Sequence, residues 1–336
     1  MTLVSHLIGT LTQCLRAVGL REVDLREVEL MGNKRMTWVS LWTVYLIWGS
    51  TYFAIAYVIE TMPPVLGMGA RFLAAALLLA LFVVIRSGIR ELRISRAELI
   101  TTSVLGCVTI GVGIGGLSVA EAHVPTGIAS LIIAALPLWI SIFRTIAGER
   151  LSRLNWIGVA IGFIGVALLM KPGSVHPVSG ASSSTLFFYM AIILIGNISW
   201  ALGTYLAPRF PLPKSALVLT VYQMLAGGVV LTIAGLLRGE DISALFNGST
   251  RSWIAFAYLV IFGSILGHSA YLWLVKNAPV GLTATYAYVN PLIAVALGSI
   301  FLKEVITLNY AIGGLIIVIG VLAVVSSQNR LALEER

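Results

Sequence analysis

The chain has 336 residues, 58% hydrophobic and 11% charged, with a formal net charge of +8. A soluble domain carries roughly a quarter charged residues, so this composition excludes an ordinary water-soluble fold and leaves most of the surface to face lipid. The positive balance is not a nucleic-acid signal, because Lys and Arg gather in one set of loops, as orientation in a membrane demands.

Residues 1–36 differ from the rest. Leu3, Val4, Leu7, Ile8, Leu11, Leu15 and Val18 recur at helical spacing, and a mixed-charge stretch runs from Arg21 to Glu29. The early basic region and small-residue cleavage site of a signal peptide are missing. Two readings are open. One is an amphipathic helix on the cytoplasmic membrane face. The other is a misassigned start, with Met31-Gly32-Asn33-Lys34-Arg35-Met36 as an ordinary short basic N-terminus.

Ten apolar runs follow: 37–58, 64–85, 97–119, 126–146, 154–171, 185–207, 215–237, 252–275, 282–302 and 307–327. About 20 such residues cross a hydrocarbon core of roughly 30 Å. The runs are too continuous for barrel strands, and without water each backbone group must bond within its own segment, so the spans are helices.

The runs form a duplication. Val124-Pro125-Thr126-Gly127 and Pro137 match Ala278-Pro279-Val280-Gly281 and Pro291, with 279 − 125, 281 − 127 and 291 − 137 all giving 154. Glu149 with Leu154-Asn155-Trp156 and Glu304 with Leu308-Asn309-Tyr310 continue the two copies. Earlier in each copy, Trp48 matches Trp200 at an offset of 152, which also sets Arg71-Phe72-Leu73-Ala74 on Gln223-Met224-Leu225-Ala226. The halves are 37–171 and 185–327. Between them lies a polar, turn-rich linker, 172–184, and a short tail, 328–336, follows. Five spans per half is an odd number, so the second half starts from the opposite side. The expected fold is therefore an all-α integral membrane protein of ten transmembrane helices in two inverted five-helix repeats, a plan that recurs in secondary transporters. With the N-terminus inside, the inner segments hold 14 Lys and Arg and the outer loops hold 4, namely Lys171, Arg238, Arg251 and Lys303. Both termini are thus expected in the cytoplasm.

Several side chains are candidates for function. Pro137 and Pro291 lie inside the fourth and ninth spans. Interior proline removes a backbone hydrogen bond, so the pair either kinks the helices for packing or shapes a cavity and acts as hinges. Ser264, His268 and Tyr271 share a helical face on the eighth span, as do Thr283, Tyr286 and Asn290 on the ninth, where Tyr288 also lies. Polar groups at that depth face the bundle interior, for interhelical bonding or for substrate. Tyr45, Trp48 and Tyr52 share a face on the first span, with Thr51 beside them. Asn197, Trp200 and Thr204 do so on the sixth. Trp48 and Trp200 are too near mid-span for an interface belt, which leaves packing or substrate stacking. Arg71 is the one basic residue well inside a span. It either pairs with Glu60 or Glu121 or attracts a substrate carboxylate or phosphate. Gly158 and Gly162 carry a spacing suited to close helix packing, within the chain or in a dimer. Leu231 is read as an ordinary apolar position.

Other chemistry is missing. There is no Walker loop for an ATP-driven pump and no metal-ligand spacing among His6, His123, His176 and His268. Ser264 and His268 have no oxyanion hole near them. Cys14 and Cys107 make no disulfide framework. No cofactor or metal is expected. No Asp lies in any span, and Glu60, Glu121, Glu149 and Glu304 sit near span ends, so support for proton coupling through a buried carboxylate is slight.

Ile47-Trp48-Gly49-Ser50-Thr51-Tyr52, Arg71-Phe72-Leu73-Ala74-Ala75, Ala284-Thr285-Tyr286-Ala287-Tyr288-Val289-Asn290-Pro291 and Lys303-Glu304 together resemble the EamA-domain exporters of the bacterial drug/metabolite transporter superfamily, among them the YedA-like inner-membrane permeases. The resemblance covers residues 37–327. It implies the ten-helix inverted repeat and a central cavity open alternately to each side. It further implies export of small metabolites, amino acids or drugs across the bacterial inner membrane, powered by a gradient or by substrate flow. Such families vary their substrates on one scaffold. The expected partners are a small-molecule substrate and the lipid bilayer, with a monomer favoured and a dimer kept open. The expected substrate-binding set is Trp48, Tyr52, Arg71, Trp200, Gln223, His268, Tyr271, Tyr286, Tyr288 and Asn290. A lipid scramblase and an integral-membrane enzyme are the competing functions. The enzyme is disfavoured, because neither clustered carboxylates nor a nucleophile lies near the interface.

Overall fold

The structure, a computed structural model, describes residues 34–171, 182–278, 280–283 and 285–334. Residues 1–33 and most of the linker, where two of the expectations above fall, lie outside the described residues.

Among the described residues the chain is helical throughout, without strands. In chain order α1 is Lys34–Ile59 and α2 is Pro64–Ser87. Helix α3 spans Arg96–Ala120 and α4 spans Thr126–Ile146. Next come α5, Arg153–Met170, α6, Ser183–Leu206, and α7, Ala216–Leu237. Helix α8 runs as Thr250–Tyr258, Leu259–Leu266 and Gly267–Asn277, α9 is Tyr286–Phe301, and α10 is Leu308–Glu334. Nine of these are long and apolar enough to cross a membrane. The exception is α9, with 16 residues. At about 1.5 Å per residue it falls short of a hydrocarbon core of roughly 30 Å. A separate turn of helix, Val280–Thr283, takes up part of the apolar run expected there. At the other end, the backbone of the expected tail continues α10 to Glu334.

The starts of the helices follow local chemistry. Pro63 and Pro64 open α2, where a missing N–H does no harm. Ser95 and Glu98 make a reciprocal cap for α3: Glu98 N donates to Ser95 Oγ at 3.2 Å and Ser95 N to Glu98 Oε2 at 2.7 Å. Ser152, Ser182 and Ser249 accept the amides of Asn155, Thr185 and Ser252 at the starts of α5, α6 and α8.

Two helices depart from the α period. Cys107–Ile114 in α3 and Leu259–Leu266 in α8 are wound as π-helix. The two segments lie 152 residues apart (259 − 107), the offset that links Trp48 with Trp200. A π segment leaves carbonyls out of the regular ladder and often marks a functional site.

The helices pair across the halves of the chain: α5 lies along α10, α2 along α7, α1 against α8 and α9, and α6 against α3 and α4. The α5–α10 contact is backbone to backbone. A Cβ at Gly158 would lie 2.7 Å from Gly320 O, and one at Gly165 would lie 2.9 Å from Gly313 O. Gly162 is covered by Leu138 and abuts Gly320. The glycine spacing is thus spent inside the chain. Leu77, Leu81, Ile85, Ile164, Phe188, Ile233, Leu237 and Leu315 are exposed on the outside, as a lipid-facing belt requires.

Candidate functional site

A cavity enclosing about 940 Å³ of non-protein space, its open mouth included, lies between the paired helices. Six helices from both halves supply its polar and aromatic lining: Trp48, Thr51 and Tyr52 from α1, Arg71 and Phe72 from α2, Ser130 from α4, Asn197 and Trp200 from α6, His268 from α8, and Tyr286 and Asn290 from α9. Gly113, Ile114 and Leu117 of α3, with Ile133, Ala134 and Leu136 of α4, complete the wall.

The aromatic side is a continuous stack. The Trp48 ring lies 5.0 Å from Tyr271, 5.3 Å from His268 and 5.5 Å from Tyr286, centroid to centroid. Tyr271 and Tyr286 are 5.7 Å apart and edge-on. These are favourable ring separations and fix the rings against one another. Trp48 Nε1 donates to Gly263 O, in the π segment of α8, at 3.3 Å. Gly263 also makes room for Arg71: a Cβ there would lie 3.1 Å from the Arg71 NH2 nitrogen.

Arg71 is 4% exposed. Its Nε donates to Ser264 Oγ at 3.0 Å, and its guanidinium carbon lies 4.6 Å from the Phe72 ring centroid. The expected ion pair is not made. Glu60 pairs with Arg251 at 3.8 Å, and both Glu121 oxygens are without a hydrogen-bond partner. A hydroxyl and an aromatic face hold the guanidinium in place, so its charge reaches the cavity without a carboxylate bound to it.

Two further polar groups are poised. Asn197 Nδ2 donates to Ile132 O at 2.8 Å, while Asn197 Oδ1 and Asn290 Oδ1 are buried without partners. The same carbonyl also accepts Ala135 N at 3.2 Å, where α4 is interrupted two residues before Pro137. The carbonyl that Pro137 cannot serve is that of Ile133, four residues back, so the Asn197 bond ties α6 to α4 beside the break rather than standing in for the proline's missing N–H. Pro291 lies inside an unbroken α9. The carbonyl it cannot serve is that of Ala287, four residues back, and both residues line the cavity. Pro137 does not reach the lining.

Of the expected set, Trp48, Tyr52, Arg71, Trp200, His268, Tyr286 and Asn290 come together in this cavity, and three do not reach it. Tyr271 stands behind Trp48 and Tyr286 in the ring stack. Gln223 is half-buried in α7, its carbonyl seated where a Cβ at Gly106 would be only 2.3 Å away. The contact is made by the Gln223 backbone, and Gln223 is not among the residues that line the cavity. Tyr288 is 6% exposed and packs outside the lining, because two residues along a helix turn it to a different face from Tyr286 and Asn290. Sequence reasoning passed over Ser130 and the aliphatic wall, which look like any apolar span.

The residues 37–171 and 187–326 each match the model of the EamA-like transporter family. The chain belongs to that family. Among EamA relatives it is 39% identical over 262 residues to the uncharacterized inner membrane transporter YedA of Escherichia coli, covering 77% of this chain and 81% of YedA. It is 27% identical to the uncharacterized transporter YvbV of Bacillus subtilis, over 85% of this chain and 90% of that one. A protein of known crystal structure has the same fold, with a TM-score of 0.61 at 18% identity, covering 86% of this chain and 98% of the other. Family and relatives are transporters, so this EamA protein acts within a membrane on a small-molecule substrate, and the reading points away from an enzyme.

Proposed function

We propose that this protein is a secondary transporter of the bacterial inner membrane, a monomer that exports small amphipathic metabolites, amino acids or drugs by alternating access. The observation that carries the proposal is the cavity between the halves, with the Arg71 charge on one side, the unpartnered oxygens of Asn197 and Asn290 on another, and aromatic rings around the space. A guanidinium takes an anionic group, amide oxygens take N–H donors, and rings cover an apolar body. Amino acids and related amphipathic solutes combine all three features.

The fold reading extends to ten spans in two inverted five-helix repeats. Three features support it: the common offset of the Pro-Gly-Pro landmarks, the two π segments at matching places, and the exchange of partners by which α1 meets α8 and α9 while α6 meets α3 and α4. The interruption at Ala135 before Pro137, and Pro291 within α9, are the positions assigned to bending between states. The Lys and Arg asymmetry supports cytoplasmic termini.

Purified protein in liposomes is to be tested for flux of amino acids, nucleosides and cationic drugs, with and without a pH gradient. Saturable flux of at least one amphipathic solute, with weakened half-saturation in Trp48→Ala at equal folded yield, is expected. Lipid scrambling without solute flux would replace the reading. For topology, single cysteines at Ser95 and Ser183 in a cysteine-free background should label from opposite sides of an intact cell. Labelling from one side would end the inverted-repeat reading.

A further inference from the structure

Glu121 lies in the turn between α3 and α4 and is 3% exposed. Although it sits at a span end, it is a buried carboxyl. Both of its oxygens are buried and neither has a hydrogen-bond partner. The nearby N-terminus of α4 would be the natural source of donors for it. Those donors are taken: Thr126 N donates to Glu304 Oε1 at 2.6 Å and Gly127 N to Glu304 Oε2 at 3.2 Å. Glu304 comes from the loop after α9, in the other half of the chain. A second acid therefore stands beside an occupied helix terminus, buried, with neither amide nor hydroxyl to stabilise a negative charge. Thr126 Oγ1, also buried, has no partner of its own.

We propose that Glu121 is an exchangeable proton-binding site coupled to the central cavity through Arg71. With the proton bound, Glu121 is neutral and the Arg71 charge is free for an anionic group in the cavity. When the proton leaves to water, the carboxylate draws the guanidinium and the two charges compensate each other. The balance is Glu121–COOH with free Arg71 on one side, and Glu121–COO⁻ facing Arg71 plus one released proton on the other. The coupling half rests on the cavity reading above; the proton site does not.

The groups that act on Glu121 come from each element packed around it. Arg71 faces it from α2, Glu304 from the loop before α10, and Tyr52 from α1. Next to it in the same turn, His123 is stacked on Tyr189 of α6 at 4.1 Å and so is engaged with that ring. Burial, and after it the charge of Glu304, push the Glu121 carboxyl well above the usual carboxylate range, against the opposing pull of Arg71.

The test is infrared spectroscopy of the full chain in lipid nanodiscs, titrated with pH, with the proton as the only ligand. The wild type should show the C=O stretch of a protonated carboxyl at neutral pH, and that band should fall reversibly as pH rises. It should be missing in Glu121→Gln. Where that variant does not fold, Glu121→Asp keeps the carboxyl and should shift the band. Arg71→Gln, by removing the opposing positive charge, should raise the midpoint by about one to three pH units. A wild type without a Glu121-dependent band, or with one that never titrates, overturns the proton site. An unmoved midpoint in Arg71→Gln overturns the coupling and leaves the cavity reading standing. Failure of transport in liposomes would strike that reading while the band survived.

Discussion

The α3–α4 wall and the α8–α9 wall of the cavity make an instructive comparison. Both contain a π segment, and both contain a proline at the matching place in the repeat. Their side chains have diverged. From α8 and α9 come His268, Tyr286 and Asn290, whereas α3 and α4 contribute mainly Ile114, Leu117, Ile133 and Leu136. The backbone devices differ as well, since α4 breaks at Ala135 and leans on Asn197 while Pro291 sits in a continuous helix. Two segments that match one family model thus line the same cavity, and the polar and aromatic side chains lie mainly on the α8–α9 wall. The second spans differ too: Arg71 lines the cavity and Gln223, at the matching offset, does not.

The largest effect expected from breaking this asymmetry is at Arg71. Arg71→Gln should lower kcat/KM for solutes with an anionic group by roughly 10- to 100-fold, the value of a charged hydrogen bond of about 1.5–3 kcal/mol. Flux assays in liposomes on a carboxylate solute and its amide analogue will show whether the loss follows the charge. Next is Trp48→Ala, which removes the centre of the ring stack and should raise the half-saturating concentration about tenfold, with folded yield measured by size-exclusion chromatography. The Glu121 carboxyl gives an effect in pH. Its raised value means the folded state holds that proton more tightly than the unfolded state does. Stability is therefore highest at or below the ordinary carboxylate range and falls as pH rises from there towards the raised value. Thermal unfolding at stepped pH should show this fall in the wild type and a flatter profile in Glu121→Gln. On the aliphatic wall, Ile133→Val should change transport by less than about threefold. An effect as large as that of Trp48→Ala would mean that recognition is shared equally between the walls.

A control with no expected effect is Leu237→Ala, since Leu237 is 84% exposed on the outer surface. Leu231, read from the sequence as an ordinary apolar position, is unsuited to that use because it is buried. Leu231 is 1% exposed, and its Cδ2 is 2.6 Å from where a Cβ of Gly115 would stand. An apolar residue in a span reads the same whether it meets lipid or a neighbouring helix, so the sequence does not separate the two.

That limit explains most of what was legible and what was not. The apolar spans are written in composition, and nine of the ten expected runs are helices long and apolar enough to cross a membrane. Trp48, Trp200, Tyr286 and Asn290 were readable because polar or aromatic groups at depth need a reason. Gln223, Tyr271 and Tyr288 passed the same filter and pack elsewhere or one layer back, because depth in the bilayer is encoded in sequence but the direction of a side chain depends on helix rotation. The π segments shift that rotation in α3 and α8, and no residue pattern announced them. Glu121 lies near a span end, where a carboxylate reads as exposed, and yet it is buried in the fold.

The contact between α5 and α10 bears on how the protein is made. The stripe of Gly158, Gly162 and Gly165 meets Gly313 and Gly320 of α10, which is synthesised after the nine helices that precede it. Until α10 is made, Gly158 and Gly165 lack the backbone that packs on them, and lipid chains cannot fill that place as closely as another backbone does. The gap closes only when α10 leaves the ribosome. Truncation before Leu308 would therefore leave the earlier helices inserted but unlocked, open to membrane quality control rather than held in a finished fold.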